Sequence, residues 1–310
     1  MSGPLAFGEA RGATVILDST EGQLWTHEQL RALHAARFSP AAIGAFLLAS
    51  QRRTNAVRAA RPELARQAQM WIGVGAGAWF VLAARGPRAQ VRLWMGLAWW
   101  GACALMVDWH LGMVQTLDGR PRRLGPADAL TLARAWLVPL AWKRPTALTC
   151  AVAGLSDAID GPLARRRGEP TRAGRDFDWI IDACFASAAL RGASRHGLLT
   201  RWAVRAEATW LGFGVLRALY AYFLQADEPD RSITRPARPF AALRMAGLIG
   251  GSAGRRRAGS AMLGTGALAS LAVSGCRLAR RSAPAGAESA SRRPGSTGGG
   301  AGSIAPSSAR

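Results

Sequence analysis

Eight apolar stretches separated by arginine-rich connections dominate the sequence, at 69–84, 93–114, 129–142, 146–156, 178–190, 208–224, 240–251 and 259–276. A helix that spans a bilayer needs roughly 20 apolar residues, which 93–114 provides and several other stretches approach. Gly and Ala are abundant within the stretches, as in closely packed membrane helices. We therefore predict an all-α polytopic integral membrane helix bundle, with about six core transmembrane helices and about two N-terminal ones.

The charge is strongly basic, with 40 Lys+Arg against 19 Asp+Glu and a formal net charge of +21. The arginines are spread along the whole chain and alternate with apolar runs, unlike the basic stripe of a nucleic-acid-binding protein. Basic loops between apolar segments are typical of membrane proteins that face anionic lipid. The expected partners are bilayer lipids, and no nucleic acid is expected.

Composition divides the chain into four regions. Residues 1–68 are predicted to form a soluble or interfacial helical N-terminal region, and 69–125 to add extra membrane helices, with Trp94, Trp99 and Trp100 in packing or at the membrane interface. Residues 126–277 are predicted to form the main membrane domain. Residues 278–310 are rich in Ser, Gly, Ala, Pro and Arg and are predicted to be a disordered tail.

Four carboxylates follow one another at helical spacing in the middle of the chain. Asp157 and Asp160 are three residues apart, and Asp178 and Asp182 are four apart, so each pair shares one helix face. If the two helix ends converge, four anions at a bilayer boundary cost several kcal/mol or more unless a cation compensates them. Mg²⁺ prefers carboxylate oxygens and leaves positions open for phosphate oxygens, so the pattern indicates phosphoryl transfer.

The residues between the two pairs suit a phosphate-bearing ligand. Gly161 and Gly174 let the backbone approach a bulky polyanion closely. Arg165 can pair with a phosphate oxygen, and Ala164 beside it leaves room.

The complete pattern resembles the signature of the CDP-alcohol phosphatidyltransferase family. The matching residues are Asp157-x-x-Asp160-Gly161-x-x-Ala164-Arg165, then eight residues, then Gly174-x-x-x-Asp178-x-x-x-Asp182. Upstream, Leu130-Thr131-Leu132-Ala133-Arg134 with Pro139 is similar to the first core helix of that family. The resemblance covers roughly 126–277 and does not extend to residues 1–125.

The resemblance implies the transfer of a phosphatidyl or related group from a CDP-linked lipid, such as CDP-diacylglycerol, to a small or lipid alcohol, with release of CMP in phospholipid biosynthesis. It also implies Mg²⁺ or Mn²⁺ as cofactor, with two ions, and suggests a homodimer. The expected location is the plasma (inner) membrane, with the active site facing the cytoplasm. In such enzymes the first three motif aspartates bind metal, and the fourth helps at the metal and is the proposed base.

Mapped onto this sequence, the resemblance implies specific roles. Asp157, Asp160, Asp178 and Asp182 would bind metal, and Asp182 would also be the general base. The residues expected to line the substrate pocket are Gly161, Ala164, Arg165 and Gly174. Arg134 either contacts the substrate as well or forms the positive flank of a membrane helix.

Two other functions are compatible with the same features. One is a Mg²⁺-dependent membrane prenyltransferase, which also holds a diphosphate on aspartate-rich helices. The other is a non-enzymatic basic membrane protein that binds anionic lipid. A further expectation concerns the hairpin between Ala129 and Ala158: two helices of some 13 residues reach about 20 Å each, short of a hydrocarbon core of about 30 Å.

Overall fold

The computed structural model describes residues 21–84, 89–116, 119–166, 171–225, 227 and 229–282. Over these residues the regular secondary structure is helical. Extended backbone occurs there in two isolated β-bridges. The main α-helices are α1 Glu21–Ala35, α2 Pro40–Ala60, α3 Pro62–Ala83, α4 Ala89–Trp109, α5 Pro126–Lys143, α6 Ala147–Arg166, α7 Arg172–Arg195, α8 Arg201–Leu219, α9 Arg238–Ser252 and α10 Arg256–Ser282. A π-helical turn, Tyr220–Gln225, follows α8. The predicted all-α class is confirmed.

Helix α5 lies at the centre of one part of the bundle, and α9 with α10 forms another part. Helices α6 and α7 both pack on α5, α9 and α10 form an extensively packed antiparallel pair, and α3 with α4 covers the outer side of α5. The main core lies where α5 to α10 meet and includes Val138, Cys150, Phe185, Leu199, Leu248 and Leu263. This arrangement brings the end of α6 beside the first half of α7, which carry the two aspartate pairs.

The described helices differ in places from the predicted region boundaries. Helix α3 begins at Pro62 and so runs across the predicted boundary at residue 68. Helix α10 continues to Ser282, beyond the predicted start of the tail at 278. Residues 1–20 and 283–310 lie outside the described part of the chain.

The hairpin formed by α5 and α6 is longer than the sequence predicted. Its helices have 18 and 20 residues, which correspond to about 27 and 30 Å at 1.5 Å per residue. The expectation of two short helices was wrong because it counted apolar residues only, whereas the polar motif through Arg166 is also helical. At the other end, the Asp128 carboxylate accepts a hydrogen bond from the Gly125 N–H at 2.7 Å and caps the first turn of α5.

Helix α6 has an apolar outer face and a small or polar inner face. Its exposed residues include Leu148, Val152, Leu155 and Ile159, which recur every three or four positions along one stripe. The buried residues are Cys150, Ala153, Ser156 and Asp160. This is the reverse of a helix on the surface of a water-soluble protein.

Among the described residues, one stretch is long and apolar enough to cross a bilayer, judged by its length and composition only: Arg256–Arg281, within α10. The predicted polytopic bundle of about eight spans is therefore not established by hydropathy.

A buried ion pair joins α8 to α9. The Arg244 guanidinium donates to both carboxylate oxygens of Glu207, with Nη2 to Oε1 at 2.7 Å and Nε to Oε2 at 2.9 Å. Glu207 is 4% exposed, and the guanidinium also lies over the ring of Trp210 at 5.3 Å from its centroid. The two charges satisfy each other inside the bundle.

Helices α9 and α10 touch backbone to backbone. A Cβ added at Gly259 would lie 2.3 Å from the Gly251 nitrogen and 2.6 Å from the Gly247 oxygen. These glycines are therefore required by the close approach of the two helices.

We expect Gly259→Ala to destabilise the protein by about 1–3 kcal/mol, because the added methyl group forces α9 and α10 apart. Thermal unfolding in detergent measures the change. Gly275→Ala is the matched control, because a Cβ there meets nothing within 4 Å. Equal unfolding temperatures for Gly259→Ala and the wild type would contradict the contact.

Candidate functional site

The four motif aspartates converge where the C-terminal half of α6 meets the first half of α7. One carboxylate oxygen from each of Asp157, Asp160 and Asp178 lies within 4.8 Å of the others. Asp160 is buried, whereas Asp157, Asp178 and Asp182 are partly exposed, with 48%, 37% and 40% of their side chains accessible. The cluster is thus open on one side.

Arg134 of α5 lies in the centre of this cluster. Its side chain is 2% exposed. Nη1 lies 3.1 Å from Asp160 Oδ2 and 4.0 Å from Asp157 Oδ1, and Nη2 donates to Asp178 Oδ1. Nε lies 2.7 Å from Asp182 Oδ1 in an ion pair that lacks hydrogen-bond geometry. One guanidinium therefore contacts all four motif carboxylates.

The charges in this cluster do not balance. Four carboxylates face a single guanidinium, which leaves a formal excess of three negative charges if all four are ionised. Oxygens that share one Mg²⁺ lie at most about 4.2 Å apart, twice the usual Mg–O distance. One carboxylate oxygen from each of Asp157, Asp160 and Asp178 already lies within 4.8 Å of the others. Small side-chain movements would therefore bring these oxygens to the spacing that one ion needs. The donor set and the excess charge both fit a divalent cation.

The predicted pocket residues lie at the open end of the two helices. Arg165 is exposed, and its guanidinium folds back so that a Cβ at Gly161 would lie 3.3 Å from its Nη1. Ala164 is partly buried in the same turn. Arg134 differs from Arg165, because its guanidinium is buried within the carboxylate cluster.

Gly174 is in a different environment, at the start of α7. A Cβ there would lie 2.8 Å from Asp128 Oδ1 and 2.9 Å from Thr171 Oγ1. The Thr171 hydroxyl caps α7 by accepting a hydrogen bond from the Gly174 N–H at 3.0 Å. Gly174 thus allows the first turns of α5 and α7 to approach each other.

Sequence reasoning missed two polar residues of this region. Ser156 is buried, and its hydroxyl accepts a hydrogen bond from Arg134 Nη1 at 3.4 Å. Asp128 caps α5 and lies against Gly174. The signal for Ser156 was its place four residues before Asp160, on the same helix face.

The N-terminal half of the chain also reaches the site. Thr116 forms an isolated bridge with Thr171, and the His110 ring packs edge-on against Phe177 at 5.2 Å between centroids. Ala173 belongs to a core cluster with Leu64 and other residues of α3 and α4. The first turns of α7 are therefore held by residues outside the motif.

Comparison with known proteins identifies the central domain. Residues 126–272 match the family model of the CDP-alcohol phosphatidyltransferases. The matched part of the chain contains all four converging aspartates and Arg134. The match supports a transferase that acts on CDP-alcohols. Comparisons with curated proteins and with solved structures gave no match.

We expect Arg134→Met to lower the free energy of unfolding by about 3–5 kcal/mol in the absence of divalent cations, because it leaves the carboxylates unpaired. Mg²⁺ should recover more stability in the variant than in the wild type. Thermal unfolding with EDTA and with Mg²⁺ measures both effects.

Arg123→Met is the control for that experiment, since Arg123 pairs with Glu63 where both side chains are mostly exposed. Its cost should be at most about 1 kcal/mol, with no dependence on Mg²⁺. An Arg134→Met protein as stable as the wild type in EDTA would contradict the role of Arg134 as counter-charge.

Proposed function

We propose that this protein transfers a phosphatidyl group from a CDP-linked lipid, such as CDP-diacylglycerol, to an alcohol, with release of CMP in phospholipid biosynthesis. The observation that carries the proposal is the convergence of the four motif carboxylates of a CDP-alcohol phosphatidyltransferase domain on one small volume. The alcohol acceptor is either a small molecule or a lipid.

A lipid-linked donor implies a location in a bilayer, and the surface of the protein supports this part of the proposal. Large apolar side chains are exposed on several helices, including Val74 and Phe80 of α3 and Leu148 and Leu155 of α6. Many large apolar side chains exposed on several helices are typical of a surface that lipid or another protein covers. We place the bundle in the plasma (inner) membrane as a polytopic protein and a homodimer, with the open end of the cluster facing the cytoplasm.

Asp157, Asp160, Asp178 and Asp182 would hold the divalent cofactor, Mg²⁺ or Mn²⁺. When bound, two such ions would neutralise the diphosphate and stabilise charge on the transferred phosphoryl group. The same aspartates that would hold the metal also pair with the Arg134 guanidinium. Arg134 therefore maintains the spacing of the carboxylates and reduces their mutual repulsion.

The roles of the remaining residues follow from their positions at the open end. Arg165 would pair with a phosphate oxygen, while Gly161 and Ala164 leave room for the nucleotide beside it. Gly174 keeps the first turn of α7 close to α5, which limits the width of the pocket. The exposed side of the cluster admits the donor from the membrane boundary.

Asp182 would act as the base. Its carboxylate accepts the proton of the acceptor hydroxyl as that oxygen bonds to the lipid-bearing phosphorus. The bond from this phosphorus to the bridging oxygen then breaks, and CMP leaves with the electron pair. The partial exposure of Asp182 lets an acceptor reach it.

The test is incubation of the purified protein in nanodiscs with labelled CDP-diacylglycerol, Mg²⁺ and a panel of alcohols. CMP release that EDTA abolishes supports the proposal. Release of pyrophosphate from a prenyl diphosphate, without CMP release, would instead favour a prenyltransferase. Salt-sensitive lipid binding that is indifferent to Mg²⁺, with no turnover, would indicate a non-enzymatic lipid-binding protein.

We expect Asp182→Asn to retain the fold and to reduce turnover by at least about 100-fold, because an amide cannot take up the hydroxyl proton. CMP release and circular dichroism are the two measurements.

Asp176→Asn is the matched control for Asp182→Asn. Asp176 lies on α7 outside the motif, with its carboxylate near Tyr222 and Arg231. This variant should keep activity within a few-fold of the wild type. Wild-type turnover in Asp182→Asn would remove the base assignment.

A further inference from the structure

Helix α5 contains a proline close to the residue at the centre of the site. Pro139 lies inside the helix and has no N–H. In an α-helix the N–H of residue 139 would bond to the carbonyl of residue 135. Ala135 is fully buried, and a buried carbonyl without its donor is costly. The Ala135 carbonyl therefore needs a donor from elsewhere.

Trp99 of α4 supplies that donor. Its indole Nε1–H donates a hydrogen bond to the Ala135 carbonyl oxygen at 2.8 Å. Trp99 lies outside the family domain, which begins at residue 126. An added N-terminal helix therefore completes the hydrogen bonding of a helix of the catalytic domain.

This contact lies directly beside the carboxylate cluster. Ala135 follows Arg134, whose guanidinium contacts the four aspartates. Ala135 and Trp99 also pack in one apolar cluster with Ile181, the residue before Asp182. A shift of α5 at this position would move Arg134 relative to Asp182.

The partner helix α3 holds α4 in a fixed position. A Cβ at Gly75 would lie 2.1 Å from Trp100 Cζ2, and one at Gly96 would lie 2.5 Å from the Trp79 ring, so the two helices interlock. The Trp100 Nε1–H donates to the Ile72 carbonyl at 2.7 Å. The Trp136 Nε1–H of α5 donates to the Gly75 carbonyl at 3.1 Å and ties α5 to α3.

We propose that Trp99 is a positioning residue for the carboxylate cluster. Its indole N–H replaces the hydrogen bond that Pro139 removes, and this fixes the segment of α5 that presents Arg134 to the aspartates. Helices α3 and α4 therefore contribute to the activity of the transferase. The inference rests on the proposed function for its turnover readout, and on the proposed metal site for its Mn²⁺ readout.

The test is a double-mutant cycle of Trp99→Phe, Pro139→Ala and the double variant. Phe keeps the ring but lacks the N–H, whereas Ala at 139 restores an N–H that can reach the Ala135 carbonyl. The cycle is measured by kcat and KM for CMP release, by Mn²⁺ affinity from electron paramagnetic resonance, and by thermal unfolding. All assays are run well below the unfolding temperature of each variant.

Trp99→Phe should reduce kcat roughly 10-fold to 100-fold in the Pro139 background, with a smaller change in KM, because misplacement of catalytic groups has costs of this order. Mn²⁺ affinity should fall in parallel. In the Pro139→Ala background the same substitution should change both quantities by less than about threefold, since the carbonyl then has its own helical donor.

Two control variants isolate the effect. Trp100→Phe removes a similar indole bond to the Ile72 carbonyl. This carbonyl lies within α3, where the N–H of Ala76 is its regular helical donor, so Pro139→Ala should not rescue any loss. Trp94→Phe changes a tryptophan that is 68% exposed and should leave turnover and Mn²⁺ affinity unchanged.

Equal effects of Trp99→Phe in the two backgrounds would overturn the link to Pro139. A lowered unfolding temperature with unchanged kcat and Mn²⁺ affinity would reduce Trp99 to a stabilising contact and overturn the positioning role. If the wild type binds Mn²⁺ but does not release CMP, the proposed function fails. The Mn²⁺ affinities of the double-mutant cycle then still test whether Trp99 positions the carboxylate cluster. A wild type that does neither overturns both.

Discussion

One buried guanidinium facing four carboxylates determines how the centre of this protein is built. Without Arg134 the ends of α6 and α7 would bring four like charges together with no counter-charge between them, and one of the four, Asp160, is buried. The guanidinium permits this approach while leaving an excess of negative charge for a cation to neutralise. It also requires α5, α6 and α7 to keep a fixed mutual position, since each supplies a member of the cluster. Packing of the other helices serves to maintain that position.

The helical class and the family were predictable because both depend on local pattern. The spacing of Asp157, Asp160, Asp178 and Asp182 fixes them on two helix faces, and helical geometry alone makes each pair converge. Helix lengths were predicted less well, since a window of apolar residues stops at Asp157 although α6 continues to Arg166. Polar residues propagate a helix when their side chains have partners in the fold, which apolar windows do not detect.

Tertiary contacts over long sequence separations could not be predicted. The sequence left Arg134 open as a substrate contact or as the positive flank of a membrane helix, and only the packing of α5 against α6 and α7 places it inside the cluster. Pro139 was noted in the sequence only as part of the family-like first core helix, and the donor that compensates for its missing N–H comes from Trp99, on a helix with no family pattern. Such pairings depend on the register between helices, and composition carries no information about register.

The buried pair of Glu207 and Arg244 constrains how the protein can be assembled. Either residue alone would leave an uncompensated charge inside the bundle, at a cost of about 3–5 kcal/mol. Helices α8 and α9 therefore reach their packed positions together, because neither can bury its charged side chain without the other. Two residues that are 37 positions apart in the chain in this way make the docking of the two helices cooperative.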